Sequence, residues 1–271
     1  MINVAEELKN AREGGYAIGA FNTNNLEVTK AICSAATKFD APILIQTTPS
    51  CIEYAGLNCI FDIVRDEIEN SKIKAAIHLD HAKDFQIIAE AIRAGYKSIM
   101  FDGSRYSFEE NVTLTSKVVN FAHKHDVSVE AEIGVIAREE GGRLSHKAVY
   151  SAPEEVRKFV EMTGVDSIAV SVGNEHGAPR DERINHQLLR KIAEIVEIPL
   201  VMHGASGLSV GDIREAIHMG VSKFNIDTNI RIAFTDAIEE SKEDDYREAI
   251  KEGMEDVEKV VERYIRLFSN L

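Results

Sequence analysis

The sequence predicts an α/β protein of the (β/α)8 TIM-barrel class with an additional C-terminal helix. Three observations lead there: eight short apolar or β-branched runs, helix-period segments between them, and polar residues gathered at the far end of each run.

The runs are YAIGAFNTN (16–24), PILIQTT (42–48), AAIHLDHA (75–82), SIMFDGS (98–104), SVEAEIG (128–134), SIAVSVGN (167–174), PLVMHGAS (199–206) and KFNIDT (223–228). Segments such as NLEVTKAICSAATKFD, FQIIAEAIRAG, FEENVTLTSKVVNFAHKHD and GDIREAIHMG carry helical periodicity, with Gly95 and Gly220 placed as C-terminal stops. Strict β–α alternation without a hairpin signal implies a parallel sheet. Eight such units in 271 residues suit a closed barrel, an open doubly wound sheet being the alternative. No linker or low-complexity run divides the chain, so residues 1–271 are expected to form one domain. The tail REAIKEGMEDVEKVVERYIRLFSNL reads as a long amphipathic helix that caps the barrel or meets a neighbour.

The net charge of -14 argues against nucleic acid or an anionic membrane as partner, since either needs a basic field. No apolar run approaches the roughly 18 residues of a membrane helix. The N-terminus MINVAEELKNAREGG has no apolar core and is not a signal peptide. Cys33, Cys51 and Cys59 lack metal-pair spacing and are expected to be reduced thiols in a cytoplasmic protein.

The stretch IHLDHAKDF (77–85) puts two histidines and two aspartates into nine positions after an apolar run. Similar residues end every run, which is where barrel enzymes build their sites. His81, His176 and His203 close the third, sixth and seventh runs, and three imidazoles with an open position make a catalytic zinc pattern. His78, three residues before His81, is expected on the opposite strand face, sharing parity with Asp80 and packing beneath it. Asp80 can act as a general acid/base beside the metal. Asp102 and Glu132 can hold a second or alternative metal position, or orient the ligating histidines by hydrogen bonds. After the last two runs, HGASG (203–207) and NIDTN (225–229) precede helices. There the amides of Gly204 and Ser206 and the hydroxyls of Ser206 and Thr228 can cradle an oxyanion without a basic surface. Helix capping by Ser209 and Thr228 is the plainer alternative.

With these residues in place, the chain resembles the class II, metal-dependent ketose-bisphosphate aldolases. The resemblance runs in order through GYAIGAFN, HLDHAKDF, IMFDGS, SVEAEIG, VDSIAVSVGNEHG, PLVMHGASG and FNIDTNIRIAF, nearly the whole chain. It implies zinc at His81, His176 and His203, with Asp102 and Glu132 around a second or displaced metal position. It implies substrate contacts from Gly177, Gly204, Ser206, Asn225, Asp227 and Thr228, chiefly to the phosphate of the dihydroxyacetone half. A monovalent cation such as Na+ or K+ can accompany that phosphate. Arg180 falls where relatives carry a lysine near the same site, and Asn22 and Thr48 match positions lining the other half of the ketose. The implied reaction has zinc as a Lewis acid, Asp80 taking the C4 hydroxyl proton, and a loop glutamate protonating the carbanion left when C3–C4 breaks. Counting from EAEIG puts that glutamate at Glu140. The loop departs from the family pattern, with its glycines after the glutamates, so Glu139 is also a candidate. Arg247 aligns with an arginine that reaches the distal phosphate, sometimes across a subunit interface, through the short match DDYREA. A homo-oligomer, dimer or tetramer, is expected.

A Schiff-base aldolase would need a lysine inside the barrel; Lys223 begins the eighth run and is expected at the wrong end. The sugar itself stays open between fructose 1,6-bisphosphate, tagatose 1,6-bisphosphate and a deoxy-keto-gluconate phosphate, the first preferred. A non-catalytic sugar-phosphate-binding barrel is the alternative from another class.

Overall fold

A computed structural model describes residues 1–140, 143–146, 148–177 and 183–269, the side chains of 138–146 lying outside that description. Its strands are β1 (Ile18–Asn22), β2 (Ile43–Thr47), β3 (Ala75–Ala82), β4 (Ser98–Phe101), β5 (Ser128–Ile133), β6 (Ala137–Glu140), β7 (Arg143–His146), β8 (Ser167–Val170), β9 (Glu175–His176), β10 (Leu200–Met202) and β11 (Val221–Ile226). The helices are α1 (Val4–Gly14), α2 (Leu26–Thr37), α3 (Pro49–Ala55), α4 (Leu57–Ser71), α5 (Phe85–Ala94), α6 (Phe108–Ala122), α7 (Pro153–Thr163), α8 (His186–Ile195), α9 (Val210–His218), α10 (Thr228–Glu240) and α11 (Tyr246–Phe268).

Eight strands close in the order β1-β11-β10-β8-β5-β4-β3-β2, every pair parallel. All eight runs read from the sequence supply one barrel strand each. Strands in such a sheet are covered on both faces, hence their near-continuous burial (BBBBB in β1 and β2). Helix starts follow side-chain chemistry. Asn25 accepts from the Val28 amide, Asp84 from Gln86, and Ser107 with Glu110 forms a capping box, each cap worth about 1 kcal/mol. Gly95 ends α5 at φ 116°, where a side chain would be strained.

Two features depart from the sequence reading. An antiparallel hairpin of β6 and β7 rises from the β5 loop, with Glu139 opposite Leu144 and Glu140 opposite Arg143. It joins β9 into a three-stranded sheet outside the barrel, Arg138 pairing with His176. The signal was present: a Gly-Gly pair (141–142) between AREE and RLSH is a hairpin pattern. Second, α11 makes its main contacts with neighbouring helices. It packs along the flank against α2 and α10, and Phe268 stacks on Phe224 with ring centroids 4.9 Å apart. The closing role falls to α1, whose Val4, Leu8 and Ala11 form a small separate core with Ile18, Ala20, Leu44 and Ala76. Cys33, Cys51 and Cys59 are all free thiols, as expected.

Candidate active site

The rim at the C-terminal ends of the strands opens into a cavity of about 320 Å³. β1 and the turn after it place Asn22 and Asn24 there, the β2 end Thr48 and Ser50, and β3 Asp80 and His81. The segment after β8 supplies His176 and Gly177, the β10 turn Gly204 and Ser206, and β11 with the start of α10 supplies Asn225, Asp227, Thr228 and Arg231.

His81 reaches this cavity by an irregularity. The β3–β4 register shifts between Leu79 and Ala82, and His81 sits at φ 53°, a left-handed conformation unusual for a non-glycine residue. Strand alternation therefore breaks at the point of chemistry, and consecutive Asp80 and His81 both line the cavity. His78 behaves as expected from parity: it is fully buried below, its Nδ1 2.8 Å from Ser98 Oγ.

The ligand atoms of His81, His176 and His203 all lie within 4.8 Å of one another, the one such group of three among the described residues. His203 Nδ1 is 3.1 Å from His81 Nε2, so these two nitrogens face the same small volume. On the far side of its ring, His81 Nδ1 lies 3.3 Å from Asp102 Oδ2. Three imidazoles turned toward one point, with a carboxylate behind at least one, form a donor set that fits a divalent transition metal. Asp102 and Glu132 line a second, adjoining cavity of about 270 Å³ that also touches His81 and His176.

Charge in this layer is strongly perturbed. Burial disfavours a charged His81, but Asp80, Asp102 and Glu132 outweigh it and push its pKa up to about 9. Burial, reinforced by the Asp102 charge, pushes Glu132 up to about 8. Burial also opposes ionised Asp80, yet His81, His203, Lys223 and His78 hold its pKa below the usual range. Asp80 is further fixed by Asn225 Nδ2, which donates to Oδ1 at 3.1 Å, and by Gln46 Nε2, which donates to Oδ2 at 3.4 Å. A fixed, ionised carboxylate beside the histidines is equipped to accept a proton.

The two capping candidates after β10 and β11 part ways. Ser209 caps α9, accepting from the Asp212 amide, whereas Thr228 is the first residue of α10 and Asp227 precedes it without a side-chain cap. Gly204 has φ +68°, and a Cβ there would collide with the Glu175 carbonyl, so the backbone needs glycine on two counts. Thr48 lines the cavity and also caps α3, accepting from the Cys51 amide at 3.2 Å.

Arg180 lies outside the described residues, as do the Glu139 and Glu140 side chains; the backbone of the two glutamates lies in β6. Arg247 does not line the cavity: it sits in the first turn of α11, 2.6 Å from Asp245. Three lining residues were absent from the sequence-based site. Asn24 is the last residue of the first run, Ser50 follows a proline after the second, and Arg231 lies one helical turn beyond Asp227. The i, i+4 relation to Asp227 was the readable signal for Arg231, and the pair forms at 2.9 Å. Lys223 also differs. It points into the barrel, fully buried, with Nζ 2.8 Å from Glu130 Oε2, and it does not line the cavity. In register it faces Ile18, the first residue of β1, below the rim, and its ammonium is held by this ion pair.

A family model described as fructose-bisphosphate aldolase class-II matches residues 2–271. A Bacillus subtilis (strain 168) protein named "Probable fructose-bisphosphate aldolase" is 37% identical over 268 residues, covering 93% of this chain and 94% of the relative. Among solved structures, the YdjI aldolase from Escherichia coli K12 superposes with a TM-score of 0.88 at 30% identity, covering 98% of this chain and 96% of that one. The fructose-bisphosphate aldolase (Fba) from Campylobacter jejuni shares the fold, with a TM-score of 0.83 at 24% identity and 98% and 93% coverage.

Proposed function

The chain belongs to the class II fructose-bisphosphate aldolase family and is an aldolase, a carbon–carbon lyase; on that premise we propose that it cleaves fructose 1,6-bisphosphate to dihydroxyacetone phosphate and glyceraldehyde 3-phosphate, with zinc held by His81, His176 and His203. The observation that carries this reading is the convergence of three imidazoles within 4.8 Å of one another beside the buried Asp80 carboxylate. Bound there, zinc would supply Lewis-acid polarisation of the ketose oxygens.

Asp80 accepts the C4 hydroxyl proton as the C3–C4 bond breaks, held in place by Asn225 and Gln46. Glu140, or its neighbour Glu139, returns a proton to C3 of the dihydroxyacetone phosphate half. The pairing of β6 with β9, the strand of His176, supports this role for the segment. The phosphate of that half sits on Gly177, Gly204, Ser206, Asn225, Asp227 and Thr228, with Arg180 near it and a Na+ or K+ ion beside it. Arg231, the one Lys or Arg lining the cavity among the described residues, adds a screened positive charge at its mouth. Asn22, Thr48 and Ser50 line the aldehyde half. Asp102 orients His81, and Glu132 offers a displaced metal position. Arg247 reaches a distal phosphate only in a neighbouring copy, in keeping with a homodimer or homotetramer. We read residues 1–271 as one cytoplasmic catalytic domain working in carbohydrate metabolism.

Comparing cleavage of fructose 1,6-bisphosphate, tagatose 1,6-bisphosphate and a deoxy-keto-gluconate phosphate tests the substrate, with the first expected fastest. Asp80→Ala should lose cleavage by about 10²–10⁴-fold while keeping bound metal. Glu140→Ala should chiefly slow exchange of the dihydroxyacetone phosphate proton with solvent. An exchange defect in Glu139→Ala alone would move that role by one residue, and a panel with no cleavage at all would favour a non-catalytic barrel.

A further inference from the structure

Beneath the rim lies a group of buried polar side chains that the proposed reaction does not use. Glu130 on β5, Lys223 on β11, and His78 and Ser98 on β3 and β4 are each at most 3% exposed. We infer that Glu130, clamped by Lys223, is a positioning residue that fixes His203 as its Nε2–H tautomer and thereby presents Nδ1 to the three-histidine cluster. The inference rests on the reading of those histidines as metal ligands.

The argument is one of donor and acceptor supply. Lys223 Nζ can only donate. It lies 2.8 Å from Glu130 Oε2 and 3.4 Å from His78 Nε2, so both of those atoms accept. With Nε2 accepting, neutral His78 carries its proton on Nδ1 and donates it to Ser98 Oγ at 2.8 Å. The other Glu130 oxygen, Oε1, lies 2.8 Å from His203 Nε2. A carboxylate has no proton to give, so that contact requires a hydrogen on Nε2, and neutral His203 then keeps a lone pair on Nδ1. Nδ1 is the nitrogen 3.1 Å from His81 Nε2, on the cluster side. A single assignment of protons satisfies every contact from Ser98 to His203. The backbone that carries the ring is held as well, because Asn174 Nδ2 donates to the His203 carbonyl at 3.0 Å and anchors the strand end. Lys223 matters because it holds one carboxylate oxygen and leaves the other aimed at His203; in its absence Glu130 would be a buried charge free to re-pair.

A purely structural role for this group would leave metal affinity untouched, which separates the two readings. Zinc or cobalt affinity of the metal-stripped full-length protein can be measured by competition with a chromophoric chelator. Glu130→Gln, whose amide can donate as well as accept, should bind metal about 10–100-fold more weakly while keeping its circular dichroism. The double variant Glu130→Gln with Lys223→Met removes both buried charges together. It should fold and show the same loss, which covers the case where a single variant is unstable. On the unsubstituted protein, histidine ¹⁵N NMR should place the His203 proton on Nε2 before metal is added, and only the Nδ1 resonance should shift strongly on loading. Folded variants with unchanged affinity, or a His203 proton found on Nδ1, would overturn the inference while leaving the metal reading intact. An unsubstituted protein that binds no metal would overturn the metal reading, and this inference with it.

Discussion

In the lower layer of the barrel Lys223, Glu130, His78 and Ser98 pair their buried polar atoms with one another and with His203, whereas one pleat higher, at the rim, Glu132 Oε2 and Asn225 Oδ1 are buried without a hydrogen-bond partner among the described residues. Many side chains in both layers are buried and both layers carry charge, so burial alone does not separate them. Saturation does. A network whose donors and acceptors are matched within the protein holds its own geometry, while a buried oxygen without a protein donor costs about 1–3 kcal/mol unless water or a ligand supplies one. The lower layer therefore supports His203 from beneath, and the rim keeps acceptors that water or a bound ligand can use.

The sharpest way to break that contrast is to open the lower layer. Lys223→Ala leaves the buried Glu130 carboxylate without its cation, with His203 still donating to the other oxygen, and should lower unfolding stability by about 3–5 kcal/mol in denaturant melts. A cost below ~1 kcal/mol would mean that water already reaches this layer. At the rim, substitutions should damage binding and spare stability. Ser206→Ala and Thr228→Ala each remove a hydrogen bond to an anion worth about 1.5–3 kcal/mol, so each should raise KM for the bisphosphate roughly ten-fold or more with little change in melting temperature. Dihydroxyacetone, which lacks the phosphate, should respond far less.

A smaller effect concerns protons. In the metal-stripped protein His81 titrates at about 9 against an ordinary 6.5, and Glu132 at about 8 against 4.5. Both hold protons more tightly folded than unfolded, so the stability they contribute is present at low pH and lost as pH rises through the folded values. Melting temperature in chelator should therefore decline from about pH 6.5 to pH 9, by on the order of 1–2 kcal/mol in stability for an open cavity, and Glu132→Gln should flatten the decline. Smallest of all, Arg231→Ala should raise KM only a few-fold, and less at high salt, because the side chain is 57% exposed and paired with Asp227.

Much of the rim could be read before any geometry, because strand ends are marked by composition: an apolar run, then HLDH, GNEHG, HGASG or NIDT. What could not be read follows from local backbone and from contacts across the barrel. The turn of His81 into the cavity depends on a register shift and a positive φ at a non-glycine residue, which alternation rules exclude by construction. Lys223 looked like a strand start, yet β11 begins two residues earlier and carries it inward to an acid 93 positions away in sequence. The β6–β7 hairpin was legible in its Gly-Gly pair, which interrupts an otherwise strict β–α alternation. Arg247 was placed by a short motif match; it does not line this chain's own cavity, and the phosphate contact proposed for it lies across a subunit interface.

The most direct test of the account is cleavage of fructose 1,6-bisphosphate by the full-length protein before and after dialysis against a chelator. Activity should vanish on dialysis and return with zinc or cobalt, and borohydride added with substrate should leave the restored activity intact. Undiminished cleavage in chelator, together with borohydride-plus-substrate inactivation, would instead identify a Schiff-base lysine and contradict the three-histidine centre.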